Sequence, residues 1–357
     1  MSSVTTSINK KKRVFYYDAL RAFAIIFVII IHSSKWFAVN EPVHSLYWTF
    51  SASWASLGNV GVPIFFMISG ALLLNRRYEI SSFLKKRLSR IFIPFAFWII
   101  LIILFRIQFL NTPPTIDGII SVIFYRGFVW YVWTLMGIYL IAPVINSFIL
   151  DYKIKGVEYF LSIWIITILL NTLGFYPIKH VELGYFAGYL GYFVLGWYLD
   201  NKEFNISNKS MMIYSAIVFV IFSLIVVGGI YFQLLEANYY LTIWPVIQAT
   251  SFYLLFKSCD NYAHENNTSL TKKFVSFVTN SKIGQAITSV SICSYGMYLT
   301  HYFVVWLVLI TNNQTHILDV RSPFKWIPVV FLVAFLFSWS LTWVFSKIPY
   351  LKEVSGT

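Results

Sequence analysis

The fold is decided by residues 16–38, which read YYDALRAFAIIFVIIIHSSKWFA. From Phe23 onward this stretch is almost continuously apolar, and about 20 such residues can cross a bilayer as a helix. It also contains two residues that hydrocarbon rejects, Arg21 and His32. Their separation of eleven positions makes roughly three helical turns, so both lie on one face, roughly 16 Å apart along the axis. Because ionisable residues in membrane helices are candidate functional residues, this pair predicts a helix that lines a polar cavity.

Composition places the whole chain in a membrane. Of its 357 residues, 58% are hydrophobic and 11% are charged, whereas soluble proteins carry about 25% charged residues. The net charge of +13 indicates basic cytoplasmic loops rather than binding of nucleic acid. We expect no cleaved signal peptide, because the first apolar run is too long. Cys259 and Cys293 lack metal or redox spacing, so the sequence predicts neither a disulfide nor a metal site.

Apolar runs predict an all-α fold, a polytopic membrane bundle of about ten transmembrane helices. Most of the 27 Lys and Arg residues fall on one side of these spans, which predicts that both termini are cytoplasmic. The chain then divides into a basic N-terminal tail (1–14), a transmembrane domain (15–347) and a short C-terminal tail (348–357). The predicted spans are 15–38, 58–75, 91–110, 129–149, 157–174, 183–200, 211–232, 239–256, 290–310 and 325–347.

His32 has two interpretations. A neutral imidazole in a membrane cavity suits a general base for a hydroxyl group. A structural histidine that hydrogen-bonds a neighbouring helix fits the position equally well. His301 lies within the ninth predicted span and is the rival candidate.

Arg21 is expected about one turn inside the cytoplasmic end of its helix, with Asp18 three residues earlier on the same face. One interpretation is a self-neutralising Asp18–Arg21 pair, with Arg21 reaching to the interface. The other is an arginine that binds an anion at the mouth of the cavity. The two interpretations are compatible.

A basic segment, KKRLSRIFIP at 85–94, leads into the third predicted span. Arg87 and Arg90 are three residues apart and share a face. They either anchor the helix at a cytoplasmic interface that contains lipid phosphates or form a fork for the phosphates of a cytosolic ligand.

Two further stretches could line a cavity. The segment GNVGVPIFFMISG at 58–70 has small residues that favour close helix packing. Within it, Ser69 is only a weak candidate nucleophile, since no His or Asp is close in sequence. The aromatic cluster that includes Tyr131 and Trp133 is typical of a membrane-interface belt or of the border of a sugar-binding site.

Three motifs, in this order, resemble the acyltransferase-3 family of membrane acyltransferases, in its stand-alone type without an appended hydrolase-like domain. They are an arginine, ten residues and a histidine (Arg21 to His32); Pro-x-Phe-Phe-x-x-Ser-Gly within 62–70; and Arg-x-x-Arg (Arg87 to Arg90). Weaker similarities lie at 130–143, 195–197 and 298–301.

The resemblance implies transfer of an acyl group, usually acetyl, from cytoplasmic acyl-CoA to a carbohydrate hydroxyl, with acetyl-CoA as co-substrate and no bound cofactor. Arg87, Arg90 and Asp18 would then bind the donor. His32 and Arg21 would be the catalytic residues, with Arg21 at the mouth of the cavity and His32 as base or transient acyl carrier. Ser69, Tyr131, Trp133 and His301 would line the cavity or border the acceptor.

The implied partners are the bilayer, acyl-CoA, and a surface polysaccharide or lipid-linked glycan, in a bacterial or archaeal cytoplasmic membrane. Two alternatives stay open. One is a transporter or flippase that moves a lipid-linked sugar without acyl chemistry. The other is an enzyme of the same kind with a different donor, such as succinyl-CoA.

Overall fold

The computed structural model describes residues 13–125, 127, 129–175, 183–235, 241–266, 268–315 and 322–357. Within these ranges the chain is helical, with no β-strand. The helices are α1 (Phe15–Asn40), α2 (Leu46–Gly58), α3 (Gly61–Leu73), α4 (Ile80–Phe109), α5 (Ile116–Ile120), α6 (Trp130–Thr172), α7 (Leu190–Asn201), α8 (Asn208–Tyr231), α9 (Ile243–Glu265), α10 (Leu270–Asn280), α11 (Lys282–Thr315) and α12 (Pro323–Lys347). A π-helical turn (Ser121–Tyr125) precedes α6, and a 3₁₀ turn (Leu183–Ala187) precedes α7.

Six segments in the described ranges are long and apolar enough to cross a membrane, which makes the chain a multi-pass membrane protein. They are Phe15–Asn40, Leu46–Leu73, Ile80–Phe109, Trp130–Thr172, Asn208–Tyr231 and Pro323–Lys347. The all-α fold is therefore confirmed. The count of ten spans and the cytoplasmic location of both termini stay predictions.

Three predicted spans differ from the structure in their boundaries or continuity. The span predicted at 58–75 begins earlier, at Leu46, and is broken into α2 and α3 at Asn59. The spans predicted at 129–149 and 157–174 form the two halves of α6, which is interrupted by non-helical backbone at Lys153. The 43 residues of the two halves amount to about 65 Å of helix, roughly twice the hydrocarbon thickness. The polar residues Asp151, Lys153 and Lys155 mark this second break in the sequence, whereas the apolar run around Asn59 hides the first.

The first helix is the centre of the bundle. It contacts α2, α3, α9, α11 and α12, and Leu20, Ile25 and Ile29 are fully buried. A helix that is apolar around most of its circumference is stable when other helices surround it. The face that carries Arg21 and His32 therefore looks into the protein instead of the lipid.

Glycines bring α3 and α7 into backbone contact. A Cβ on Gly70 would lie 1.6 Å from the carbonyl oxygen of Phe193, and one on Gly196 would lie 1.9 Å from that of Met67. Such distances exclude any side chain at either position. The small residues of 58–70 thus serve helix packing, as the sequence predicted.

The segment after α12, predicted as a short C-terminal tail, folds back onto the bundle. Trp98 Nε1 donates to the carbonyl oxygen of Val354 at 3.0 Å, and Ser355 is buried. Gly356 has a φ of +74° and packs against Gly296 of α11. Residues 354–357 are therefore part of the packed structure between α4 and α11.

Candidate active site

A large polar cavity opens at the end of the bundle where α1 begins, and we call it the arginine cavity. Its volume is about 1330 Å³. Residues from several helices and from the C-terminal segment line it, because the starts of α1 and α4 and the ends of α7 and α9 converge there. The charged residues that line it are Arg13, Asp18, Arg21, Arg76, Arg87, Asp200, Lys257 and Asp260.

Asp18 is buried in this cavity and is bound by residues other than Arg21. Arg13 donates to both of its carboxylate oxygens, through Nη2 at 2.7 Å and through Nε. Ser291 Oγ donates to Oδ1 at 2.7 Å. The carboxylate raises the pKa of the Arg13 guanidinium above its ordinary value. The predicted Asp18–Arg21 pair is therefore not formed, because Arg13 reaches Asp18 from before the start of the helix.

Arg21 and Arg87 remain in the cavity without a carboxylate partner. Neither forms an ion pair within the described ranges. Both lie close enough to Tyr139 of α6 to interact with it electrostatically. Arg90, one turn further along α4, is exposed and does not line the cavity. The structure thus separates the two arginines that the sequence had treated as one fork.

Arg76 lines the arginine cavity together with Arg21 and Arg87, because hydrogen bonds fix the α3–α4 loop to α6. The Arg76 backbone N–H donates to Asn146 Oδ1 at 3.2 Å, and Asn146 Nδ2 donates to the Arg76 carbonyl oxygen at 2.8 Å. Sequence reasoning placed Arg76 only among the basic loop residues. No local pattern distinguishes it, because a side chain from α6 sets its position.

A second, smaller cavity lies further along α1, and we call it the histidine cavity. Its volume is about 330 Å³. His32 and Lys35, three residues apart, face it from α1. The remaining polar and aromatic residues that line it are Asn59, Trp130, Tyr131, Tyr189 and Tyr298.

His32 and His301 are neighbours, although the sequence presented them as rivals. Their ring centres are 5.1 Å apart, and Tyr302 stands edge-on to His32 at 4.6 Å. His301 is fully buried, and its Nδ1 lies 3.0 Å from the carbonyl oxygen of Met297. Its Nε2 has no hydrogen-bond partner among the residues that the structure describes. The pairing of α1 with α11 creates this arrangement, which no sequence spacing reveals.

Asn59 contributes a second unpaired polar group beside His32. It occupies the break between α2 and α3 and is 5% exposed, and its Nδ2 has no hydrogen-bond partner in the described part of the chain. The preceding residue, Gly58, packs on α1: a Cβ there would lie 2.6 Å from the carbonyl oxygen of Phe27 and 3.1 Å from the amide nitrogen of Ile31. Sequence reasoning missed Asn59. The available signal was a polar residue between two glycines in an otherwise apolar run.

Three tyrosines lie near the two cavities, and we call Tyr131, Tyr139 and Tyr298 the tyrosine partition. Tyr131 packs on Tyr298 with ring centres 4.8 Å apart, and both line the histidine cavity. Tyr131 and Tyr139 both lie within electrostatic range of Arg21. The hydroxyl of Tyr139 is within hydrogen-bonding reach of Ser69. Tyr131 therefore connects the two cavities, since it lines one and interacts with an arginine of the other.

Besides Arg90 and His301, two further predicted site residues, Trp133 and Ser69, line neither cavity. Trp133 donates from Nε1 to the carbonyl oxygen of Ile123 at 2.8 Å and stacks on Phe124. Ser69 lies behind the partition, next to Tyr139. Trp130 instead supplies the aromatic border, with its ring centre 4.9 Å from that of Tyr189. A helix has 3.6 residues per turn, so consecutive residues point to different faces. The sequence alone therefore did not show which members of the aromatic cluster border the cavity.

No group of three or more His, Cys, Asp or Glu side chains in the described part of the chain is placed to hold a metal ion. A family model described as an acyltransferase domain matches residues 14–343, which include the histidine cavity and all residues of the arginine cavity except Arg13 and Thr357. No curated protein and no solved structure matches the chain. The opening arginine–histidine motif, the arginine cavity and the match over nearly the whole chain agree, and the protein belongs to the acyltransferase-3 family of membrane acyltransferases.

Proposed function

We propose that this protein is an O-acyltransferase that moves an acyl group, acetyl in the simplest case, from acyl-CoA to a carbohydrate hydroxyl. One observation carries the proposal. A single face of α1 holds Arg21 in the arginine cavity and His32 in the histidine cavity. A site for a phosphate-bearing donor and a proton-accepting group would thereby lie along one helix.

The arginine cavity is the proposed donor site. The CoA head group carries several phosphates, and guanidinium groups match phosphate geometry. Arg21, Arg76 and Arg87 approach the cavity from three elements, and Asp18 helps by holding Arg13 in place. The volume of about 1330 Å³ is large for a small-molecule pocket, which is typically about 300–1,000 Å³. Arg90, being exposed, would act only at the rim.

The histidine cavity is the proposed site of chemistry. The acceptor oxygen attacks the thioester carbonyl, so a C–O bond forms and the C–S bond breaks. His32 takes the hydroxyl proton and returns it to the CoA thiolate. The unpaired Nδ2 of Asn59 would donate to the oxyanion that develops on the carbonyl oxygen.

The acceptor is proposed to be a surface polysaccharide or its lipid-linked precursor. The faces of Trp130, Tyr131 and Tyr189 at the histidine cavity suit the apolar faces of sugar rings, and such rings supply large contact area with polar tips. The Lys and Arg distribution supports a cytoplasmic arginine cavity. The protein would therefore act in the cytoplasmic membrane of a bacterium or archaeon, where acyl-CoA is cytosolic.

Inverted membrane vesicles with radiolabelled acetyl-CoA test this function. We expect label in the polysaccharide or glycolipid fraction, lost in His32→Ala vesicles with equal protein. Excess unlabelled succinyl-CoA that abolishes labelling would identify a different donor. Label held on acid-quenched protein would make His32 an acyl carrier. An absence of label in any glycan would contradict the proposal and favour a flippase.

A further inference from the structure

His32 lacks the acidic partner that usually orients a histidine base. In nucleophile–base arrangements a third group, commonly a carboxylate, fixes the imidazole and stabilises the imidazolium that forms. In the ranges that the structure describes, no Asp or Glu side chain pairs with His32. Lys35 lies three residues further along the same face and lines the same cavity. Its positive charge opposes protonation of His32, so a compensating acceptor is needed.

His301 has a lone pair available at this point. A carbonyl oxygen only accepts hydrogen bonds, so the 3.0 Å contact with Met297 requires that Nδ1 of His301 carry the proton. The neutral ring then has its lone pair on Nε2. That nitrogen is buried and has no hydrogen-bond partner within the described ranges. Its ring centre is 5.1 Å from that of His32.

A buried acceptor without a hydrogen bond destabilises the folded protein, so its retention is expected where the reaction uses it. Leaving a buried polar atom unpaired costs about 1–3 kcal/mol, and native structures retain few such atoms. The Met297 contact satisfies only one of the two ring nitrogens. The unpaired Nε2 therefore makes His301 a candidate for a role beyond packing.

We propose that His301 is a positioning residue: its Nε2 accepts a hydrogen bond from the imidazolium that His32 becomes during acyl transfer. The inference rests on the proposed function. The ring centres of His32 and His301 are 5.1 Å apart. A rotation of the His32 ring would therefore bring one of its nitrogens to about 2.7–3.2 Å from Nε2 of His301, a normal hydrogen-bond distance. Catalytic hydrogen bonds commonly tighten only when substrate is bound.

The proton balance of the step is simple. The acceptor hydroxyl gives its proton to His32 as the C–O bond forms, and His32 gives it to the CoA thiolate after the C–S bond breaks. His301 keeps its Nδ1 proton throughout, donates it in a hydrogen bond to the Met297 carbonyl oxygen, and accepts the hydrogen bond from His32 at Nε2. The histidine thus occupies the place of the carboxylate, without adding a charge to the membrane interior.

Two substitutions separate this role from a purely structural one. In His301→Asn, the amide Nδ2 can still donate to the Met297 carbonyl oxygen, but the acceptor at the Nε2 position is lost. In His301→Gln, the longer side chain places an acceptor oxygen near the Nε2 position, and the Met297 bond is weakened. If His301 has only a structural role, His301→Asn should be the more active variant. If it has the proposed role, His301→Gln should be the more active variant.

The experiment measures initial rates of label transfer from radiolabelled acetyl-CoA in inverted vesicles over a range of donor concentrations, together with thermal unfolding midpoints. We expect Vmax of His301→Asn to fall roughly 100-fold and that of His301→Gln less than about tenfold, with the KM for acetyl-CoA unchanged in both. His301→Gln should be the less thermally stable variant but the more active one.

Wild-type Vmax in His301→Asn, or equal losses of Vmax in both variants, would overturn the proposal. A change confined to the KM for acetyl-CoA would overturn it as well, because it would place His301 at the donor. The wild-type sample separates this failure from that of the proposed function. If wild-type vesicles transfer no label, the proposed function is wrong and the inference falls with it.

Discussion

The arginine cavity and the histidine cavity lie along the same face of α1, yet they differ in size and lining. The first is about four times larger and carries eight charged residues. The second is lined by aromatic and aliphatic residues, together with His32, Lys35 and Asn59. Long flexible cations can bind a multiply charged ligand without a tight enclosure. Proton transfer and oxyanion stabilisation need fixed groups and little water, because electrostatic interactions are stronger in a low-dielectric site.

The same contrast holds for how each cavity is built. The arginine cavity gathers residues at helix starts and loops, such as Arg13 and Arg76. The histidine cavity is held by packing within the bundle, with Gly58 pressed on α1 and His301 fully buried. We therefore expect changes at the first cavity to alter donor affinity, and changes at the second to alter the rate of transfer.

The largest effect is expected for His32→Ala. Removal of the base should lower Vmax for acyl transfer roughly 1,000-fold, within the range of general-base catalysis, while the KM for acetyl-CoA stays nearly constant. Initial rates in inverted vesicles, with protein quantified by immunoblot, measure both constants. Transfer at the wild-type rate would remove the histidine cavity from the chemistry.

Asn59→Ala is expected to lower Vmax roughly 100-fold, because loss of one oxyanion donor typically has that effect. The same vesicle assay measures it. Asn171→Ala serves as the control, since Asn171 Nδ2 donates to the carbonyl oxygen of Leu241 away from both cavities. Similar losses in both variants would show that Asn59 has only a structural effect.

Arg87→Ala is expected to raise the KM for acetyl-CoA roughly tenfold and to leave Vmax little changed, in keeping with the loss of one charge-assisted hydrogen bond. Arg90→Ala is the matched control, because Arg90 is exposed on the same helix and does not line the cavity. Titration of purified protein with CoA provides the direct measurement. If Arg87→Ala and Arg90→Ala weaken CoA binding equally, both arginines bind the donor, as the fork predicted from the sequence requires.

The smallest effect is expected for Ser69→Ala. Ser69 lines neither cavity and lies next to the Tyr139 hydroxyl. Loss of this neutral contact should change Vmax by about threefold or less. A loss as large as that of His32→Ala would instead identify Ser69 as a nucleophile and move the chemistry behind the tyrosine partition.

The sequence determined the fold class and the axis of the site. Long apolar runs have few alternatives to membrane helices, because backbone groups in hydrocarbon must bond within their own segment. Arg21 and His32 are placed on one face by helical periodicity alone. These are local properties, so they could be derived from a single stretch of chain.

The tertiary structure decided which groups meet. Asp18 binds Arg13 and Ser291 instead of Arg21, and Arg87 faces the cavity while Arg90 does not. His301 and Asn59 reach His32 only through the packing of α11 and of the α2–α3 break against α1. Such contacts depend on the rotation and spacing of separate helices, set by glycine pairs such as Gly70 and Gly196. A pattern that repeats within one helix carries no information about its neighbours, which is why the partners of His32 could not be read from the sequence.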